Sequence, residues 1–185
     1  MMHISETALP GVMLLEPRIF KDDRGFFFES YHEKRAWDAG LQVKFVQDNQ
    51  SFSRQGTLRG LHYQLKHPQG KLVRVVTGEV FDVAVDIRQG SPTFGQWYGE
   101  YLSANNHHQL YVPPGFGHGF CVISETADFL YKCTDFYTAG DEYAIRWDDP
   151  DIGIDWPIAS PILSTKDAIA PFLKDATHQL PIYQS

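Results

Sequence analysis

Little in this chain suits a charged polymer, a membrane or a redox centre. It carries 16 lysines and arginines against 23 aspartates and glutamates, a formal net charge of −7. That balance argues against a nucleic-acid partner, because phosphate backbones reward a basic face. A small anion is still accommodated, since a few local cations are enough to hold one. Cysteine occurs only twice, as Cys121 and Cys133, each inside an apolar run. Both read as reduced core residues rather than a disulfide or a metal site. No apolar run approaches the length of a membrane span. The opening Met1-Met2-His3-Ile4-Ser5-Glu6 has neither the basic start nor the apolar core of a secretory signal. The expectation is a cytoplasmic protein with no membrane partner. Neither a P-loop nor a Gly-x-Gly-x-x-Gly run occurs, so the common nucleotide-binding loops are not indicated.

Helical patterning is also scarce. His32–Gly40 predicts one short helix that stops at Gly40, and Ser164–Leu173 predicts another, broken by Pro171. What is present is period-two alternation. Phe81, Val83, Val85 and Ile87 take one face of a strand, and Asp82, Asp86 and Arg88 the other. Lys71, Val73 and Val75 share a face in the strand before it, with Thr77-Gly78-Glu79 as the turn. Further strands are expected at Gln96–Leu102, Gln109–Val112, Gly119–Ile123 and Ala127–Thr134. In the last, Phe129, Tyr131 and Cys133 point one way, and Leu130, Lys132 and Thr134 the other. With 185 residues and no linker or repeat, the chain reads as one domain over residues 1–185. Its fold class is mainly β, a cupin-type jelly-roll barrel with a few short helices.

The chemistry centres on Gly60-Leu61-His62-Tyr63-Gln64. It reads as half of a cupin metal motif, with Gln64 where a metal cupin places its second histidine. A further histidine, His118, follows in Pro113-Pro114-Gly115-Phe116-Gly117-His118. A metal site needs three or four converging ligands, so the set is incomplete and no metal is expected. Acid–base work by side chains takes its place. Lys71 is either a solvated strand-end lysine or a cation that stabilises an oxyanion. Tyr131 is either a core tyrosine or a proton donor. Adjacent His107 and His108 read as loop residues. Arg59 and His62 have opposite strand parity, so they reach one ligand only if Gly60 marks a bulge or a bend.

Several longer segments occur in order along nearly the whole chain. They are Asp23-Arg24-Gly25-Phe26-Phe27-Phe28-Glu29, Phe45-Val46-Gln47-Asp48-Asn49-Gln50-Ser51 and Thr57-Leu58-Arg59-Gly60-Leu61-His62-Tyr63-Gln64. Gln69-Gly70-Lys71-Leu72-Val73-Arg74-Val75 and Val112–Phe120 follow, then Tyr131-Lys132-Cys133-Thr134 with Tyr137, Glu142, and Leu163-Ser164-Thr165-Lys166-Asp167. Together they resemble the dTDP-4-dehydrorhamnose 3,5-epimerase family of dTDP-L-rhamnose synthesis. The resemblance implies that His62 is the general base, oriented by Asp167, with Tyr131 the opposing acid and Lys71 the cation at the enolate oxygen. It implies that Arg24, Glu29, Gln47, Asn49, Arg59, His118, Glu142 and Lys166 hold the nucleotide sugar, and that Tyr137 stacks on its base. It also implies no cofactor, no metal, and a homodimer whose N-terminal strands cross the interface. The rival readings are a single-centre epimerase or 3,4-ketoisomerase on a dTDP-4-keto sugar, a metal-dependent cupin enzyme, and a non-catalytic sugar-binding module.

Overall fold

The computed structural model describes residues 2–184. Strands β1 (His3–Glu6) and β2 (Met13–Glu16) lead into a small hairpin, β3 (Phe20–Asp22) with β4 (Gly25–Phe27), and a short helix, α1 (Glu33–Asp38). The barrel strands follow: β5 (Gln47–Arg54), β6 (Leu58–Gln64), β7 (Lys71–Thr77), β8 (Glu79–Asp86), β9 (Trp97–Ser103) and β10 (Gln109–Val112). Then come β11 (Phe116–Val122), β12 (Thr126–Cys133), β13 (Glu142–Ala144) and a one-turn helix, α2 (Thr165–Ala168). One sheet has the order β1-β2-β10-β7-β12-β5 and the other β13-β6-β11-β8-β9. Adjacent strands are antiparallel throughout both. Expectation and structure agree on the mainly β jelly roll.

Alternation explains the layering. Leu110 and Val112 of β10, Val73 and Val75 of β7, and Ala127 and Phe129 of β12 face Val80, Ala84, Leu102, Phe116 and Phe120 of the other sheet. Phe129 stacks on Phe120 with ring centroids 4.1 Å apart. Fully burying such a ring stabilises the fold by about 2–3 kcal/mol. The opposite parity of β8, Phe81, Val83 and Val85, packs under the C-terminal segment against Ile152, Leu173 and Leu180. Leu72 and Tyr111 cover the outer face of the six-stranded sheet with Leu15, Leu41 and Ala36 of α1. The polar parity of β8 therefore faces inward: Asp82 and Asp86 are fully buried.

The turn at Thr77-Gly78-Glu79 forms as expected. Gly78 has φ +80, and a Cβ there would meet the Thr126 carbonyl oxygen at 2.0 Å. The helix expected over Ser164–Leu173 is a single turn. Pro171 disfavours helical backbone at Ala170, and only two short 3-10 turns, Leu173–Asp175 and Thr177–Gln179, follow. Cys121 and Cys133 are buried and free. Among the described residues, no helix is long and apolar enough to cross a membrane.

Candidate active site

Between the two sheets lies a cavity of about 490 Å³, lined also by Ile162, Leu163 and Ser164. A second cavity of about 250 Å³ shares its walls His62, Lys71, Tyr131 and Glu142. His62 stands on β6 of the five-stranded sheet. Lys71 and Tyr131 stand on β7 and β12 of the six-stranded sheet. The space is thus flanked by a histidine on one wall and by a lysine and a phenol on the other.

His62 is held from behind. Its Nε2 lies 2.5 Å from Oδ1 of Asp167, which is 2 % exposed. Ser164 caps α2 by accepting the Asp167 N–H at 3.1 Å, and its hydroxyl donates to Asp167 Oδ2 at 2.8 Å. Both carboxylate oxygens are therefore engaged. Burial alone pushes the Asp167 carboxyl up. Hydrogen bonding to His62, attraction by it, the Ser164 hydroxyl and the Lys166 charge together bring it below the usual carboxylate range. An ionised Asp167 accepts from Nε2–H, which leaves Nδ1 of His62 with the lone pair.

The opposite wall behaves differently. Burial lowers the pKa of the Lys71 ammonium, against the raising influence of Cys133, Glu142 and Asp82. Burial pushes the Tyr131 phenol up, with Cys133 and Glu142 adding and Arg59 opposing. Tyr131 is consequently protonated across neutral pH.

His118 carries a second carboxylate pair. Its Nε2 is 3.0 Å from each oxygen of Asp82, and its ring lies against Phe129. The sequence reading passed over Asp82, although its place on the polar parity of β8 was the available signal. It passed over Ser164 as well, although Ser164-Thr165-Lys166-Asp167 has the spacing of a helix-capping box.

The remaining expected residues divide into two groups. Arg59 lines the larger cavity, with its Nε donating to Ser53 Oγ at 3.0 Å. Glu142 and Lys166 also line it and pair with each other at 2.8 Å. Gln47, Asn49 and Tyr137 line the smaller one. Gln47 Nε2 donates to Asn49 Oδ1 at 3.1 Å, and Gln47 Oε1 accepts the Tyr137 N–H at 2.9 Å. Arg24 and Glu29 do not join them. Arg24, at the turn of the β3–β4 hairpin, pairs with Asp22 at 2.6 Å, and Glu29 pairs with Arg35 at 2.8 Å. Gln64, at the position of a cupin ligand, turns its amide to backbone groups of the neighbouring loops. Among the described residues, no three of His, Cys, Asp and Glu converge as a metal set would.

The expected bulge is present. His118 pairs with His62, and Phe120 pairs with Arg59, so three steps along β6 match two along β11. Gly60 has φ +127, and a Cβ on it would meet Gly119 Cα at 2.5 Å.

Comparison with known proteins adds to the geometry. Residues 6–175 match the family profile described as dTDP-4-dehydrorhamnose 3,5-epimerase. A dTDP-4-dehydrorhamnose 3,5-epimerase of Pseudomonas aeruginosa is 57% identical over 177 residues, covering 95% of this chain and 98% of its own. One of Salmonella typhimurium is 55% identical over 179 residues, covering 95% of this chain and 98% of its own. The crystal structure of dTDP-6-deoxy-D-glucose-3,5-epimerase from Legionella pneumophila, in complex with dTDP-4-keto-L-rhamnose, superposes with a TM-score of 0.96. It is 52% identical and covers 100% of both chains.

Proposed function

The chain belongs to the dTDP-4-dehydrorhamnose 3,5-epimerase family, and we propose that it performs that reaction with His62 as base, Tyr131 as acid and Lys71 as the cation at the enolate oxygen. It is an isomerase, and the substrate is dTDP-4-dehydro-6-deoxy-D-glucose. In a 4-keto sugar, C3 and C5 both lie α to the C4 carbonyl. A proton on either carbon becomes acidic once negative charge on the C4 oxygen is stabilised. His62 Nδ1 takes that proton, and Asp167 favours the imidazolium that results. The Lys71 ammonium meets the charge that develops on the oxygen. Inversion then requires a proton from the other face of the ring, and the Tyr131 phenol gives it. No electron changes hands, so the absence of a dinucleotide fingerprint is consistent with this chemistry.

The single observation that carries this reading is the placing of His62 and Tyr131 on facing sheets, with one cavity between them. A sugar ring held there presents one face to each. Arg59, His118, Lys166 and Glu142 are suited to the diphosphate and sugar, and Gln47, Asn49 and Tyr137 to the nucleobase, the tyrosine by stacking. Arg24 and Glu29 lie outside their own chain's cavity, which favours a homodimer in which the β3–β4 hairpin reaches the neighbour's site. The exposure of Phe26 and Phe27, 58% and 70%, suits that use. Mixing Arg24→Ala and His62→Ala subunits tests this: a crossing hairpin restores one competent site per mixed dimer. Two buried free cysteines fit a cytoplasmic setting.

Incubation with dTDP-4-dehydro-6-deoxy-D-glucose in D2O tests the chemistry. Deuterium is expected at both C3 and C5, and at neither with His62→Ala. Label at one carbon only would reduce the enzyme to a single-centre epimerase. Absence of label with the wild type would favour a sugar-binding module.

A further inference from the structure

Gln64 replaces a cupin metal ligand, and its amide has another use. Gln64 is 6 % exposed. Its Oε1 accepts the Thr138 N–H at 2.8 Å, and its Nε2 donates to Phe136 O at 3.3 Å and to His67 O at 2.6 Å. Two of these groups flank Tyr137 on either side. The arrangement asks one side chain for two donors and one acceptor. An amide supplies that set, whereas a neutral imidazole has one of each.

A reciprocal contact runs the other way. Asp141, 2 % exposed, closes the loop that carries Tyr137. Its carboxylate accepts the N–H groups of Leu65, Lys66 and His67 at 3.3, 3.0 and 2.8 Å. Each loop is thus gripped by a buried side chain at the end of the other. Packing adds little here, because Phe136 and Tyr137 are 61% and 54% exposed. Side-chain hydrogen bonds, including Gln69 Nε2 to Asp135 O at 2.8 Å, order the loop instead.

We propose that Gln64 and Asp141 are positioning residues for Tyr137, so that they set nucleotide affinity without taking part in proton transfer. The inference rests on the reading of Tyr137 as the residue that stacks on the nucleobase. Nucleobase contacts do not change between ground state and transition state. Loss of the clamp therefore raises KM and leaves kcat in place.

The test combines dTDP titration by calorimetry with steady-state kinetics on dTDP-4-dehydro-6-deoxy-D-glucose. Gln64→Leu and Asp141→Asn are each expected to raise the dTDP Kd and the KM about tenfold, with kcat within about twofold. In the Tyr137→Ala background, neither change should weaken dTDP binding further, because residues acting through one contact do not add. Additive losses, or a fall in kcat at constant KM, overturn the proposal. If Tyr137→Ala itself leaves dTDP affinity unchanged, the stacking reading falls first. A normal loss in Tyr137→Ala with no loss in Gln64→Leu defeats the clamp alone. Should Gln64→Leu fail to fold, Gln64→Glu keeps the size and the acceptor for Thr138 while removing both donors, and the same outcomes apply.

Discussion

Arg59 and His62 face one cavity although an unbroken strand would turn them to opposite sides. The extra residue in β6 opposite β11 corrects the parity, and Gly60 and Gly119 make room for it. A Cβ on Gly119 would in turn meet the Arg59 carbonyl oxygen at 2.8 Å. The site thus depends on two backbones approaching more closely than side chains allow. The bulge turns His62 and Arg59 toward the same cavity.

Gly60→Ala should therefore damage both fold and activity. The position combines a left-handed φ of +127 with a backbone neighbour that cannot move aside. The expected loss is about 3 kcal/mol or more in urea unfolding. Any folded fraction should retain less than about a hundredth of the wild-type kcat/KM, because a base displaced by an ångström loses its reach. A variant of normal stability and activity would show that the close approach is dispensable.

Asp167→Asn should leave substrate binding nearly unchanged and lower kcat by about 10²-fold or more. Its effect on stability carries a pH signature. The folded carboxyl titrates below its unfolded value: burial opposes ionisation, but the partners His62, Ser164 and Lys166 outweigh it. A depressed carboxyl contributes stability above its unfolded pKa, and that contribution is lost as pH falls through the folded one. The stability gap between wild type and Asp167→Asn should be full at neutral pH and shrink below about pH 4. Denaturant melts over that range measure it, and a gap that widens in acid contradicts the assignment.

Lys71 should determine the alkaline limb of the rate profile. Burial lowers its pKa, so the cation is lost as pH rises at a value below the ordinary lysine range. The Tyr131 phenol, raised by burial, keeps its proton beyond its own ordinary range. Activity should accordingly fall at high pH before Tyr131 ionises. Lys71→Arg keeps the charge and should move that limb upward, whereas Lys71→Met should lower kcat at every pH. An unchanged limb in Lys71→Arg would assign it to another group.

Legibility in the sequence followed hydrophobic contrast. The parities of β7, β8 and β12 stood out because apolar residues alternate with polar ones, and these strands carry Lys71, Asp82 and Tyr131. β5 is equally regular, with exposure alternating along Gln47–Arg54, yet it went unseen as a strand. Its residues are nearly all polar because one face lines the site, so alternation in burial produced no alternation in hydropathy. Strands β1 to β4 and β13 are short and partly exposed, and lack contrast for a different reason. The site residues themselves were reached largely through the family resemblance. Asp82 and Ser164 lay outside the quoted roles and emerged only when the chain was folded around His118 and Asp167.

Tyr131→Phe separates the two halves of the reaction. It removes one oxygen and leaves the ring beside Phe129, so the cavity wall keeps its shape. His62 and Lys71 are untouched, and the proton at C3 or C5 can still be taken by the base. What disappears is the donor on the facing sheet. The enolate is then reprotonated mainly by His62, on the face from which the proton came. Because the imidazole exchanges with solvent, deuterium should enter at the carbon with its configuration retained. In D2O the variant is expected to keep label incorporation within about tenfold of the wild type while inversion falls about 10²-fold or more. NMR of the recovered sugar nucleotide reads both quantities in one sample. If exchange and inversion fall together, Tyr131 is needed to form the enolate, and the acid on the far wall must be sought elsewhere.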